Sequence, residues 1–188
     1  MLSTTVIERP LTLLVVDCTG ASEGTEADVA PRLLAVLAKR GVALGDAQPI
    51  VVADGAGLAD HADALAAASC VVLLGDGALH PGACLDVWRW LDAHVDRPAL
   101  IVACQFGDHD PALADAILKT KPAFAPIALA QQSPATPRAV ALFCLKFLAE
   151  LDLHTDDRIT GRMAWFAHKK AAELVKRREL YAAFGLRA

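Results

Sequence analysis

Short apolar runs, each followed by a stretch of helical length, recur five times along this chain, and that alternation constrains the fold more than any other feature. Three runs read as buried strands: Leu11 to Val16, Cys70 to Leu74 and Ala99 to Ala103. Each is rich in Val, Leu or Ile and gives way to small or polar residues, as expected of strands covered on both faces. Pro49 to Ala53 and Ala125 to Ala130 supply two more. Between them, Glu26 to Arg40 places Val29, Leu33, Leu34, Val36 and Leu37 on one helical face and stops at Gly41. Leu58 to Ala68, Cys84 to His94 and Pro111 to Lys119 read as the next three helices. The last opens on a proline, whose missing N–H costs little in a first turn. Alternation with short links implies right-handed crossovers and a parallel sheet with helices on both faces. The expected fold class is therefore α/β, a three-layer sandwich around five parallel strands.

After the fifth strand, Gln131 to Arg138 reads as a connecting loop and Ala139 to Leu151 as a helix. Thr155, Asp156 and Asp157 supply a start signal for a closing helix from Arg158 to about Phe184. That helix begins apolar, with Met163, Trp165 and Phe166, then turns basic with Lys169, Lys170, Lys176, Arg177 and Arg178. The expected division is an α/β domain over 1–152 and a C-terminal helical extension over 153–188. The extension packs on the domain or on a partner, a second copy of the chain included.

Composition narrows the function classes. Hydrophobic residues make up 55% of the 188, yet only 5% are aromatic, which suits tight layers where helices meet a sheet. The net charge of −4 gives no reason to expect nucleic acid as a partner. Five scattered cysteines without a C-x-x-C pair suggest a reducing compartment, no structural zinc and a cytoplasmic protein. The N-terminal stretch lacks a basic start and is interrupted by Glu8, Arg9 and Pro10, so it does not read as a signal peptide. No apolar run nears the ~18 residues a membrane span requires.

In open parallel sheets, ligands gather beyond the carboxyl ends of the strands, near the point where strand order reverses. Three loops fall there. The first, Asp17 to Thr25, carries Thr19, Gly20, Ser22, Gly24 and Thr25, whose N–H and O–H groups suit a phosphate, but also the acids Asp17 and Glu23, with Glu26 close behind. It is not a Walker loop, since no Gly-Lys-Ser/Thr follows. The second, Gly75 to Gly82, is built of small residues around His80 and permits close approach of a flat ligand. The third, Cys104 to Asp110, lines the same crevice from the next strand. Its Asp108, His109 and Asp110 are adjacent residues of the kind that seldom converge on one ion, so no metal is expected.

The stretch ALAAASCVVLLGDGALHPGACLDVWRWLDA resembles the flavodoxin-like NAD(P)H-dependent FMN reductases, down to the closing Trp90-Leu91-Asp92. RPALIVACQFGDHDPALADAIL is similar to that family's fourth strand, flavin loop and following helix, and ITGRMAWFAHKKAAEL to its final helix. The resemblance implies a flavodoxin-like sandwich and an FMN whose phosphate lies in the first loop. Its ring would rest against Gly77, Ala78, Leu79 and His80, and against Gln105, Phe106 and Gly107, with NAD(P)H as electron donor. Because the flavin carries the redox chemistry, no catalytic acid or base is implied. Three departures stand out: Asp76-Gly77 replaces the family's Ser/Thr-Pro, Leu79 stands where an aromatic stacks, and the first loop carries acids in place of the family's basic residue. A member that has lost its cofactor and serves as a binding or scaffold protein is the first alternative. The second is a resemblance to caspase-like and CHAT peptidases, carried by Ala103-Cys104-Gln105-Phe106-Gly107. There Cys104 would be the nucleophile and His80 its base, although Asp76 occupies the family's histidine position in Gly75-Asp76-Gly77.

Overall fold

The computed structural model describes residues 6–8, 11–20, 29–39, 41, 44, 48–76, 80, 82–94, 99–106, 111–119, 124–128, 137–152 and 158–183. Four strands form a parallel sheet: β2 (Leu13–Cys18), β4 (Cys70–Asp76), β5 (Ala99–Phe106) and β6 (Phe124–Ala128). The two-residue β3 (Ile50–Val51) continues the sheet beside β2, giving the order β3-β2-β4-β5-β6. Every residue of β2 is buried, which is why Leu13 to Val16 is a continuous apolar run rather than an alternating one.

Alternate residues of the strands feed two separate cores. Leu13, Val15, Cys70, Val72, Leu74 and Leu100 point to one face, where α1 (Val29–Lys39), α5 (Pro137–Asp152) and α6 (Gly161–Ala183) cover them. Leu14, Val16, Val71, Leu73 and Ile101 point to the other, beneath a 3₁₀ turn (Ala56–His61), α2 (Ala62–Ala67), α3 (Ala83–His94) and α4 (Pro111–Leu118). Helices therefore cover both faces, as the alternation in the sequence requires. Trp88 anchors the second core, and Phe143 and Phe147, stacked at 5.9 Å, anchor the first. Among the described residues, no helix is long and apolar enough to cross a membrane.

Several elements differ from the sequence reading. The amphipathic helix expected over Leu58 to Ala68 divides into the 3₁₀ turn and α2, and only Leu58 and Leu65 of its larger residues are buried. The division follows from how the chain docks after β3. The Gly55 N–H donates to Asp86 Oδ2 at 2.8 Å, and a Cβ there would lie 2.8 Å from both the Asp86 carbonyl oxygen and Trp90 Cβ. Asp54 Oδ1 accepts from the Gly57 N–H, closing a tight turn before the helix can begin.

A strand pair also appears that was not expected. β1 (Val6–Glu8) runs antiparallel to β7 (Arg158–Thr160), with Ile7 opposite Ile159. The closing helix accordingly starts at Gly161 rather than Arg158, because Thr160 is its cap: Thr160 Oγ1 accepts from the Met163 N–H at 3.3 Å. Thr155, Asp156 and Asp157, read as the helix start, lie outside the described residues. Finally, β2, β4 and β5 each run two or three residues past the expected ends, so Asp17 and Cys18, Gly75 and Asp76, and Cys104 to Phe106 belong to strands, not loops.

Candidate functional site at the strand-order reversal

From β2 the chain passes outward to β3, then returns to β4 on the opposite side of β2. The connections leaving β2 and β4 therefore diverge, one toward α1 on the first face and the other toward α3 on the second. The carboxyl ends of two strands whose connections diverge in this way are where open parallel sheets bind their ligands. The register brings the third expected segment to the same level: Cys18 is opposite Gly75, and Gly75 opposite Gln105. At about 4.8 Å between neighbouring strands, this row spans roughly 10 Å, the width of a fused aromatic ring system.

Gly20 and His80 close the rim from its two sides. Gly20 has φ +66°, a left-handed conformation that favours glycine, and the position its Cβ would take lies 2.0 Å from His80 Nε2. The imidazole thus rests on the bare α-carbon of Gly20, while His80 as a whole remains exposed. Two residues expected from sequence to share a ligand are in contact across the reversal.

Asp17 and Thr19 form a second local unit. Asp17 is 8% exposed, and its Oδ1 accepts from the Thr19 N–H at 2.9 Å and from the Thr19 hydroxyl at 2.7 Å. The acid expected to repel a phosphate is thereby turned inward onto the chain. The same two bonds engage the N–H and O–H of Thr19 that the sequence reading offered to that phosphate. Sequence inspection missed this pairing, although an Asp two residues before a Thr at a strand end is a recognisable turn signal.

Beneath the rim, two thiols flank Gly75. A Cβ at Gly75 would lie 2.7 Å from Cys84 Cβ and 3.1 Å from its Sγ, and 3.6 Å from Cys18 Sγ. Cys18 Sγ–H donates to the Leu74 carbonyl at 3.0 Å. Both cysteines are buried and free of disulfide, so here they fill volume as small hydrophobes. On the other face, burial and the neighbouring Cys144 push the Cys70 thiol well above the usual thiol range.

The remaining expected site residues are distributed as follows. Gln105 and Phe106 end β5 in register with Gly75 and Asp76. Cys104 stands within β5 opposite Leu74, on the far side of β4 from β2, whereas the ring of His80 lies on the β2 side, against Gly20. Ser22, Gly24, Thr25, Gly77, Ala78, Leu79 and Gly107 lie outside the described residues. Among the described residues, no three His, Cys, Asp or Glu side chains gather as a metal-binding group. Comparison with protein-family models, with curated proteins and with solved structures finds no match to this chain.

Proposed function

We propose that the chain is a flavodoxin-like protein that holds flavin mononucleotide at the reversal rim and serves as an NAD(P)H-dependent oxidoreductase. The carrying observation is the contact of Gly20 with His80 across the strand-order reversal, since it joins the phosphate-side and ring-side segments that the family resemblance implies. When bound, the flavin supplies the hydride chemistry. The chain's part is to hold and orient it. Gly20 lets the His80 ring pack directly on the backbone, His80 offers a ring edge and a ring nitrogen, and the β4 and β5 ends supply the wall. The phosphate would rest on the residues after Gly20, because the donors of Thr19 are engaged with Asp17.

A second reading, a binding protein of the same fold without flavin, draws on the Asp17–Thr19 pair. A buried carboxylate beside the proposed phosphate position opposes a dianion unless loop donors outweigh it. The visible spectrum of the purified protein and quenching of FMN fluorescence on titration separate the two. A yellow preparation, or saturable quenching that weakens in His80→Ala, supports the flavoprotein. A colourless protein that leaves FMN fluorescence unchanged overturns it in favour of the second reading.

A further inference from the structure

We propose that the outward face of α6 is a docking strip for an acidic segment of a partner protein. The inner face of α6 is committed to the core through Ala164, Ala167, Ala171 and Val175. On the opposite side, Trp165 and Phe166 are 47% and 43% exposed and meet edge to face at 5.0 Å. Among the described residues, the only other large hydrophobic side chains so exposed are two valines, Val36 and Val51. Lys169 Nζ sits 5.6 Å from the centre of the Trp165 ring, and the Arg162 guanidinium 5.7 Å from that of Phe166. Lys176 and Arg177, both exposed, continue that side about two turns beyond Lys169.

These groups have the character of an interaction hot spot, where aromatic rings and arginine dominate binding. At an exposed site each cation over a ring contributes only about 0.5–1 kcal/mol. An arriving carboxylate can therefore draw Arg162 and Lys169 into ion pairs and uncover the ring faces for an apolar side chain beside it. Charge selects the occupant. Gly161–Ala183 carries a net +4 in a chain whose total is −4, so the remainder carries −8. An acidic segment is attracted to α6 and repelled elsewhere, which fixes where it lands. Two copies pairing through this face would set like charges against each other, which disfavours a symmetric dimer here. An anionic bilayer is a broad surface that also faces the acidic remainder of the chain, whereas a narrow segment follows the helix alone.

The test is fluorescence anisotropy of a dye-labelled peptide of about sixteen residues built from Glu and Leu, long enough to track ~24 Å of helix. The full chain binds it saturably, and more weakly as salt rises. Arg162→Glu with Lys169→Glu weakens binding at least ~10-fold, as expected for close charge pairs. Trp165→Ala with Phe166→Ala weakens it ~5-fold or more. A Lys/Leu peptide, phosphatidylserine vesicles and a single-stranded oligonucleotide bind less tightly than the acidic peptide. If the charge-reversed chain loses its helical signal, Lys169→Gln alone replaces it in the comparison. No binding of the acidic peptide, equal binding by the folded variants, or tighter binding of vesicles or oligonucleotide overturns the proposal.

Discussion

Asp17 shows how much a single side chain can alter the meaning of a loop. Read in the sequence, it is a negative charge where a phosphate is wanted; in the fold it is a buried acceptor for Thr19. Asp17→Ala leaves the Thr19 N–H and hydroxyl without that acceptor, and chemical denaturation should record a loss of about 1–3 kcal/mol. Thr19→Val, which removes only the hydroxyl, should cost less than Asp17→Ala. Gly20 is the sharper case. Gly20→Ala places a methyl on the His80 ring and strains a backbone at φ +66°. The expected destabilisation is about 1–3 kcal/mol, and the double variant with His80→Ala should recover part of it, because the clash but not the strain is relieved. Full recovery, or no cost at all, would show that the contact is unimportant. The glycine-rich character of this loop was legible in the sequence. Which glycine faces which neighbour was not, since that depends on a partner sixty residues away.

The elements themselves were largely legible, because apolar runs and helical periodicity are local properties. The exceptions are those that tertiary partners decide. β7 exists because β1 pairs with it, and neither three-residue strand has a pattern long enough to reveal itself. The 3₁₀ turn replaces the start of a helix because Asp86 and Trp90 crowd Gly55. The junction of α5 with α6 is another long-range feature. Glu150 is buried, pairs with Lys146 one turn earlier, and receives Lys170 of α6 at 2.7 Å. Those hydrogen bonds hold its carboxyl below the ordinary value of 4.5, outweighing the opposing effect of burial. A lowered folded-state pKa stabilises above the unfolded value, and that contribution fades as pH falls through the folded value. Glu150→Gln should therefore cost about 1 kcal/mol at neutral pH, both lysines being partly solvated, with the difference shrinking on acidification below 4.5. A gap that stays constant down to pH ~2 would remove the ion pairs as its cause. At the start of α6, Thr160→Ala should cost about 1 kcal/mol through loss of the cap to Met163.

For the molecule as a whole, the decisive feature is the direction in which the chain leaves β2. Strand–helix alternation identifies a parallel sheet, but strand order depends on which face each crossover covers, and residue patterning does not encode that side. Here α1 and α5 lie on one face and α2 to α4 on the other, with β3 and β4 on opposite sides of β2, so that the connections leaving β2 and β4 diverge. The chemistry at the rim was less legible than its position, because it rests on contacts such as Gly20–His80 that join distant segments. That contact also allows a direct measurement. Nuclear magnetic resonance of the imidazole signals, with His80 assigned by comparison with His80→Ala, reports the rim while FMN is added. A flavin bound at the rim gives a saturable shift of the His80 signals, with smaller changes at His61 and His94, which lie in the 3₁₀ turn and at the end of α3. Quenching of FMN fluorescence with the His80 signals unmoved, or no interaction at all, would contradict a flavin seated at the strand-order reversal.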